Sequence, residues 1–408
     1  MAWKGRTELE ERKVFIEDWQ LAEGSFAELC RKYGISRQTG YKWVDRFEVQ
    51  GLTGLEELSR APHASPQIMS QEVRTRIIAL REQHPRWGPR KLRAWLSHHD
   101  GDVLWPATSS VGALLRREGL TQGRRKRHRT VRYSEPLAHA IGANQVWCTD
   151  FKGWFLCGDG KRCDPLTMSD AFSRYLLRCR SVEKTDGPHV RAIFESAFRE
   201  WGMPESIRTD NGSPFATQAP GGLSRLNIWW MRLGIRHERI EPGCPQQNGR
   251  HERMHSTLKQ ETAAPPAGNL RQQQEAFVRF QEEYNHQRPH EALGYQTPAS
   301  VYVASSREYP ARLPELEYPR GAILRKVNED GRLRWTNRRA FVSKVLGGEY
   351  VGLQPVDDGF YEVYFGGLLL GWYDEGENHF AIDPGPPATA SKKSQGGFAT
   401  TTTRPLPL

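Results

Sequence analysis

Cysteine is scarce in this chain of 408 residues, and its six copies, Cys30, Cys148, Cys157, Cys163, Cys179 and Cys244, fall in no paired framework. Disulfide-stapled scaffolds are small and dense in cysteine, so that class is excluded and the thiols read as reduced and intracellular. Cys157 and Cys163 lack partners at zinc-ligand spacing, so no zinc is expected. Long apolar runs are missing as well. No uncharged stretch reaches spanning length, and the opening Met-Ala-Trp-Lys-Gly-Arg-Thr-Glu holds no apolar signal segment. A soluble cytoplasmic protein without a membrane partner is expected. Acidic residues are in deficit: 48 Asp and Glu face 58 Lys and Arg, leaving a formal charge of +10 and a pI near 9.3. An unbalanced positive field attracts polyanions, which makes nucleic acid the natural partner and the nucleoid the natural location. Hydrophobic content of 37% and a mean hydropathy of −0.70 are low for one large core. Several modest domains fit better.

The first of these spans 1–60. Val14, Phe15, Trp19 and Leu21 mark one helix, Ser25 can cap a second through Phe26, Leu29 and Cys30, and Ser36 a third carrying Tyr41, Val44 and Phe47. The tight turn Tyr33-Gly34-Ile35 makes the pattern a helix-turn-helix, whose third helix would bring Arg37, Gln38, Thr39 and Lys42 to base edges in the major groove of double-stranded DNA. A three-helix bundle with a solvated polar face is the plainer alternative. Residues 61–122 repeat the theme, with helices marked by Val73, Ile77 and Leu80, by Leu92, Trp95 and Leu96, and by Val111, Leu114 and Leu115 after a cap at Thr108 or Ser109. Its third helix offers few base-reading side chains, so this module suits phosphate clamping. Between 123 and 141 lies a basic linker. Arg124, Arg125, Lys126 and Arg127, with Arg129 and Arg132, crowd too much like charge to pack and would track a DNA backbone.

From 142 to 304 strand-like runs alternate with helical ones, which predicts a central α/β core. Residues 305–383 consist of short β-rich runs separated by Glu329-Asp330-Gly331, Gly347-Gly348, Asp357-Asp358-Gly359 and Gly366-Gly367, a spacing that suggests a small β-barrel. The tail, 384–408, is rich in Pro, Gly, Ser and Thr and is expected to be disordered.

Three acids stand out in the core. Asp150 ends the apolar run Gln-Val-Trp-Cys-Thr-Asp, and Asp210 ends Ser-Ile-Arg-Thr-Asp, where Asn-Gly stops the strand. Glu252 shares one helical face with His255 and Lys259, three and seven residues on. Carboxylates suit hard divalent cations, and phosphodiester chemistry uses two such ions about 3.5–4 Å apart. Asp150 would bridge both, with Asp210 and Glu252 serving one each. A lone Asp at a strand end is more often a turn cap. Asp170, in Met-Ser-Asp-Ala-Phe-Ser-Arg-Tyr, competes for the Asp150 role, although Ser173-Arg174 gives it the context of a turn.

Taken together, Trp147-Cys-Thr-Asp150-Phe-Lys152, Thr209-Asp210-Asn-Gly-Ser-Pro-Phe215 and Pro245-Gln-Gln-Asn248-Gly-Arg-His-Glu252-Arg-Met-His255-Ser-Thr-Leu-Lys259 resemble the DDE catalytic core of bacterial insertion-sequence transposases, relatives of retroviral integrases. Tyr284-Asn-His-Gln-Arg-Pro-His-Glu-Ala-Leu293 resembles the segment that follows that core. The likeness covers roughly 1–304. It implies a ribonuclease-H-like fold and Mg²⁺-dependent cleavage and strand transfer, with Mn²⁺ as a substitute. Asp150, Asp210 and Glu252 would be the metal ligands and catalytic acids, with Asn248, His255 and Lys259 against the DNA. A homo-oligomer on paired element ends is implied too. The gap between Asp210 and Glu252 is longer than in many relatives, and the excess, Gln218 to Ser224, reads as a surface insertion of little consequence. Two rivals keep the basic modules: a DNA-binding regulator without turnover and a structure-selective nuclease that cleaves without joining.

Overall fold

Side-chain caps start the helices at the front of the chain. Thr7 and Ser25 each accept a backbone N–H three residues on, and Glu10 and Glu28 reach back, opening α1 (Glu8–Gln20) and α2 (Phe26–Lys32). Ser36 accepts the Thr39 N–H and so caps α3 (Arg37–Gln50), as expected, without a side chain reaching back to its own N–H. Gly34, in the turn before it, has φ of +64°, a left-handed conformation that other residues adopt only with strain. Phe15, Ile16, Cys30, Trp43, Val44 and Leu55 close the core of this helix-turn-helix.

This computed structural model describes residues 7–21, 24–57, 69–121, 137, 139–217, 219–241 and 249–382. The chain divides into two units, 1–70 and 71–408, and the helices above belong to the first.

The second unit opens with α4 (Gln71–Gln83), α5 (Pro89–His99) and α6 (Thr108–Arg117), closed by Ile77, Leu80, Leu92, Leu96, Val111 and Leu115. The cap expected at Thr108 or Ser109 is absent. Thr108 is already the first helical residue, so its hydroxyl lies inside the helix and not ahead of it, and Ala107 offers no side-chain acceptor.

The central sheet explains where the acids lie. It contains β1 (Val146–Phe151), β2 (Phe155–Leu156), β3 (Arg162–Asp170), β4 (Leu176–Val182), β5 (Ser206–Thr209) and β6 (Arg236–Arg239). Antiparallel pairing joins β3 to β4 on one side and to β1, continued by β2, on the other. Parallel pairing then joins β1 to β5 and β5 to β6. The helices α7 (Gly187–Trp201) and α8 (Arg225–Arg232) cover one face around Trp147, Phe194, Phe198, Trp229 and Trp230. On the other face α9 (Gly249–Thr262) and α10 (Leu270–His286) pack through Met254, Leu258, Phe277 and Phe280 onto Cys163, Leu176 and Cys179. Alternation along β1 sends Trp147 into the first of these cores and Val146 and Cys148 to the opposite side, so Asp150 faces α9. The short α11 (Pro298–Val301) ends this region.

At the C-terminal end the expected barrel is not found. The strands β7 (Ile323–Lys326), β8 (Arg332–Trp335), β9 (Arg338–Phe341), β10 (Tyr350–Asp357), β11 (Phe360–Phe365), β12 (Leu368–Asp374) and β13 (His379–Ala381) form an open five-stranded sheet, β13-β12-β11-β10-β7, and a separate β8–β9 ribbon. Glycine turns fix which neighbours form hairpins. Closure needs the outermost strands to pair, and β7 and the three-residue β13 lie at opposite edges. The apolar face is covered instead by the ribbon, through Leu333 and Trp335, and by Leu223 and Ile228 from the central region.

That last contact corrects a second expectation. Pro220 and Leu223, within the segment read as a surface insertion, are buried, and a Cβ on Gly221 would stand 3.3 Å from Leu368. The insertion is the seat of the C-terminal sheet. No helix among the described residues is long and apolar enough to cross a membrane.

Candidate active site

Asp150 pairs across the sheet with Thr167 of β3, and its carboxyl stands among like charges. Its side chain is 22% exposed, and burial pushes the acid up to about 7. Asp210 adds to that rise and Glu252 does so more weakly, while the Phe151 N–H and Lys152 oppose it. Glu252 is exposed on α9. Among the described residues no three His, Cys, Asp or Glu side chains are gathered tightly enough to enclose one ion. What links the three acids is electrostatic: Asp210 and Glu252 both raise the Asp150 carboxyl.

A buried polar cluster behind Asp150 ties β1, β3 and α9 together. Thr167 Oγ1 donates its one proton to the Asp150 carbonyl at 3.1 Å. It must therefore accept from both imidazoles that touch it, His251 Nε2 at 2.7 Å and His255 Nε2 at 2.6 Å. Ser169 Oγ, 2.9 Å from His251 Nδ1, then donates to it. Burial pushes His251 down to about 3 and His255 down to about 2, so both rings are neutral. The bare Nδ1 of His255 looks toward Asp150 Oδ2 at 3.8 Å, too far for a hydrogen bond. Expected to hold a DNA end, His255 is 6% exposed and committed to Thr167.

Asp210 follows β5 where the chain turns. Its Oδ1 accepts the Gly212 N–H at 3.1 Å, and a Cβ at Gly212 would stand as close to that carboxylate. Thr209 Oγ1 donates to the Asp210 carbonyl at 2.8 Å and accepts from His237 Nε2 at 2.8 Å, while Asn227 Nδ2 donates to His237 Nδ1 at 3.1 Å. Burial holds His237 neutral, down at about 4. Asp170 is otherwise engaged: its carboxylate takes the N–H groups of Asn144 and Ser173 and the Ser173 hydroxyl, each at 2.7 Å, and it is 1% exposed. Its role is that of a turn cap.

Next to the acids, Glu252, His255, Ser256, Lys259 and Gln260 of α9 line an open groove with Lys152, about 340 Å³ in volume. Burial and the neighbouring Lys259 ammonium lower Lys152 from the usual range, against the pull of Asp150. The second helical module is held beside this region, with His84 Nδ1 2.9 Å from Glu283 and Arg86 donating to Gln260 at 2.8 Å.

In the first unit Arg37, Gln38 and Lys42 lie with Tyr41, Asp45 and Arg46 along one exposed face of α3. Thr39 departs from that set, because its N–H and hydroxyl both meet the Ser36 cap. Arg124, Arg125, Lys126, Arg127 and Asn248 lie outside the described residues. Thr167, His237 and Asn227 were not singled out from sequence, and isolated polar residues in apolar runs carry no pattern that would have done so. His251, four residues before His255, carried one: the pair falls on a single helical face.

An integrase core domain family matches residues 141–245, and a second integrase core description matches 233–298. A helix-turn-helix domain matches residues 11–63 and a homeodomain-like domain 39–115. The chain is 28% identical over 273 residues to an uncharacterized 31.7 kDa protein of insertion element IS407 from Burkholderia multivorans, covering 65% of this chain and 94% of that one. It is also 28% identical over 304 residues to an uncharacterized 39.2 kDa protein of insertion element IS476 from Xanthomonas euvesicatoria, covering 72% and 82%. Among solved structures, the HTLV-2 integrase catalytic core domain in complex with magnesium is 17% identical, covering 40% of this chain and 99% of that one, with a TM-score of 0.32. Helix-turn-helix domains ahead of an integrase core define the class. With the similarity to insertion-element proteins, these domains support a bacterial insertion-sequence transposase with a core of the retroviral integrase type.

Proposed function

We propose that the protein binds the ends of its element, frees 3′-hydroxyls there and joins them to target DNA, with Asp150, Asp210 and Glu252 as the acids of a Mg²⁺ site that Mn²⁺ can also fill. The observation that carries this reading is the raised carboxyl of Asp150, on which both Asp210 and Glu252 act. A mostly buried carboxyl pushed up to about 7 by burial and by a second acid is a poor resting arrangement for a protein alone. It suits a hard dication, whose charge would offset both groups. Such ions, when bound, activate an attacking oxygen and stabilise a departing one.

The chain's own residues do the positioning. Thr167 holds the Asp150 carbonyl, Thr209 holds that of Asp210, and the two neutral histidines fix α9 so that Glu252 approaches from the helix. Lys152 and Lys259, with Asn248, would hold phosphates beside the acids. Residues 1–60 would dock the element end through Arg37, Gln38 and Lys42, and 61–122 would clamp phosphates beside the core. The linker, with Arg124, Arg125, Lys126 and Arg127, would track the backbone between these modules and the catalytic region, 142–304. Two ends must be joined together, so a homo-oligomer is the working form.

Incubating the full chain with Mg²⁺, labelled element ends and a plasmid tests the reading. Joined products are expected. Nicking without joining would instead make it a nuclease, and a mobility shift without cleavage a DNA-binding regulator.

A further inference from the structure

We propose that the cavity between the β1–β2 turn and α9 receives one unstacked base of the DNA strand processed at the neighbouring acids; this rests on the DNA-joining function proposed above. The cavity measures about 130 Å³ and is walled by Trp154, Phe155, Pro165, Leu258 and Phe277. An apolar void of roughly 150 Å³ holds a benzene molecule. The space therefore suits a single six-membered ring, a pyrimidine base or one edge of a purine, and not a whole nucleotide.

Its rim is cationic. Lys152 and Lys259 line this cavity and also the groove that contains Glu252 and His255. A nucleotide that leaves its phosphate on those ammonium groups has its base at the mouth of the cavity. A purely apolar protein side chain would have no use for that rim, whereas a nucleotide carries both the anion and the flat ring.

Trp154 supplies the remaining part. Gly153, with φ of +84°, turns the chain between β1 and β2, and Trp154 stands 58% exposed. The Arg162 guanidinium lies 5.1 Å from its ring centroid. An exposed indole beside cations at the edge of an apolar slot is the composition with which proteins stack single-stranded bases. Unstacking costs least where a duplex is already interrupted, as it is at a nicked end.

The test uses the full chain and a duplex of the element's terminal repeat, carrying an abasic site or 2-aminopurine at each position flanking the cleavage site. Binding is measured in EDTA, without turnover. Trp154→Ala is expected to weaken binding of the intact duplex about tenfold. Trp154→Phe should restore most of it, and Ala263→Leu, which narrows the cavity, should mimic the alanine variant. At one position the abasic duplex should bind wild type and Trp154→Ala equally, and 2-aminopurine there should be quenched by the wild type alone. A Trp154→Ala deficit that is absent, or equal at every position, overturns the base site. Failure of the wild type to join the same duplex with Mg²⁺ instead contradicts the proposed function, and the binding pattern distinguishes the two.

Discussion

His237 Nε2 lies 2.8 Å from Thr209 Oγ1, and that hydroxyl donates to the carbonyl of Asp210. With Asn227 donating to the other ring nitrogen, the cap of α8 is wired to the backbone of an acid at the site. Thr209→Val removes the middle of the chain and strands an imidazole N–H and a carbonyl. Loss of about 1–3 kcal/mol in urea denaturation is expected, and joining should fall further than end binding. Unchanged stability would mean that the chain of bonds contributes nothing.

Thr167 stands in the same relation to Asp150, with two imidazole donors depending on it. Thr167→Val leaves both buried N–H groups without their acceptor and should cost at least about 2 kcal/mol. Ser169→Ala, which removes a donor to His251 alone, should cost less. Equal effects in thermal denaturation would contradict the central position given to Thr167.

Metal-free stability should depend on Asp150 in a defined direction. Its folded-state acid sits at about 7, against roughly 3.9 in an unfolded chain, so the folded form binds that proton more tightly. The resulting stability is fully present below about pH 4 and is lost as pH rises through 7. Asp150→Asn lacks this loss and should exceed the wild type at pH 8 by on the order of 2–4 kcal/mol. Urea denaturation in EDTA at several pH values checks it, and a difference that grows toward acid would have the wrong sign.

The segment from Gln218 to Ser224 should not tolerate deletion. Leu223 is buried in the core of the C-terminal sheet, and Leu223→Ala should cost about 2–5 kcal/mol. Calorimetry that shows a loss below about 0.5 kcal/mol would return the segment to the status of a surface loop.

That segment also shows where the sequence was readable and where it was not. Period and caps announced α1 to α3 and the strands that carry Asp150 and Asp210, because each depends on residues close in the chain. The seating of Leu223 in the core of the C-terminal sheet and the open edges of that sheet depend on partners far apart in sequence, and short glycine turns say nothing of either. The same holds at the site. The three acids stand at strand ends and on a helix face, which are local signals, while Thr167, His237 and Asn227 acquire their roles only when β3, β6 and α8 come together.

The most direct test compares Asp150→Ala, Asp210→Ala and Glu252→Ala with the wild type for joining of labelled element ends to plasmid DNA in Mg²⁺, with end binding measured alongside. Each variant should bind the ends as the wild type does and yield no joined product. A variant that still joins ends at the wild-type rate would show that its carboxylate is not part of the site.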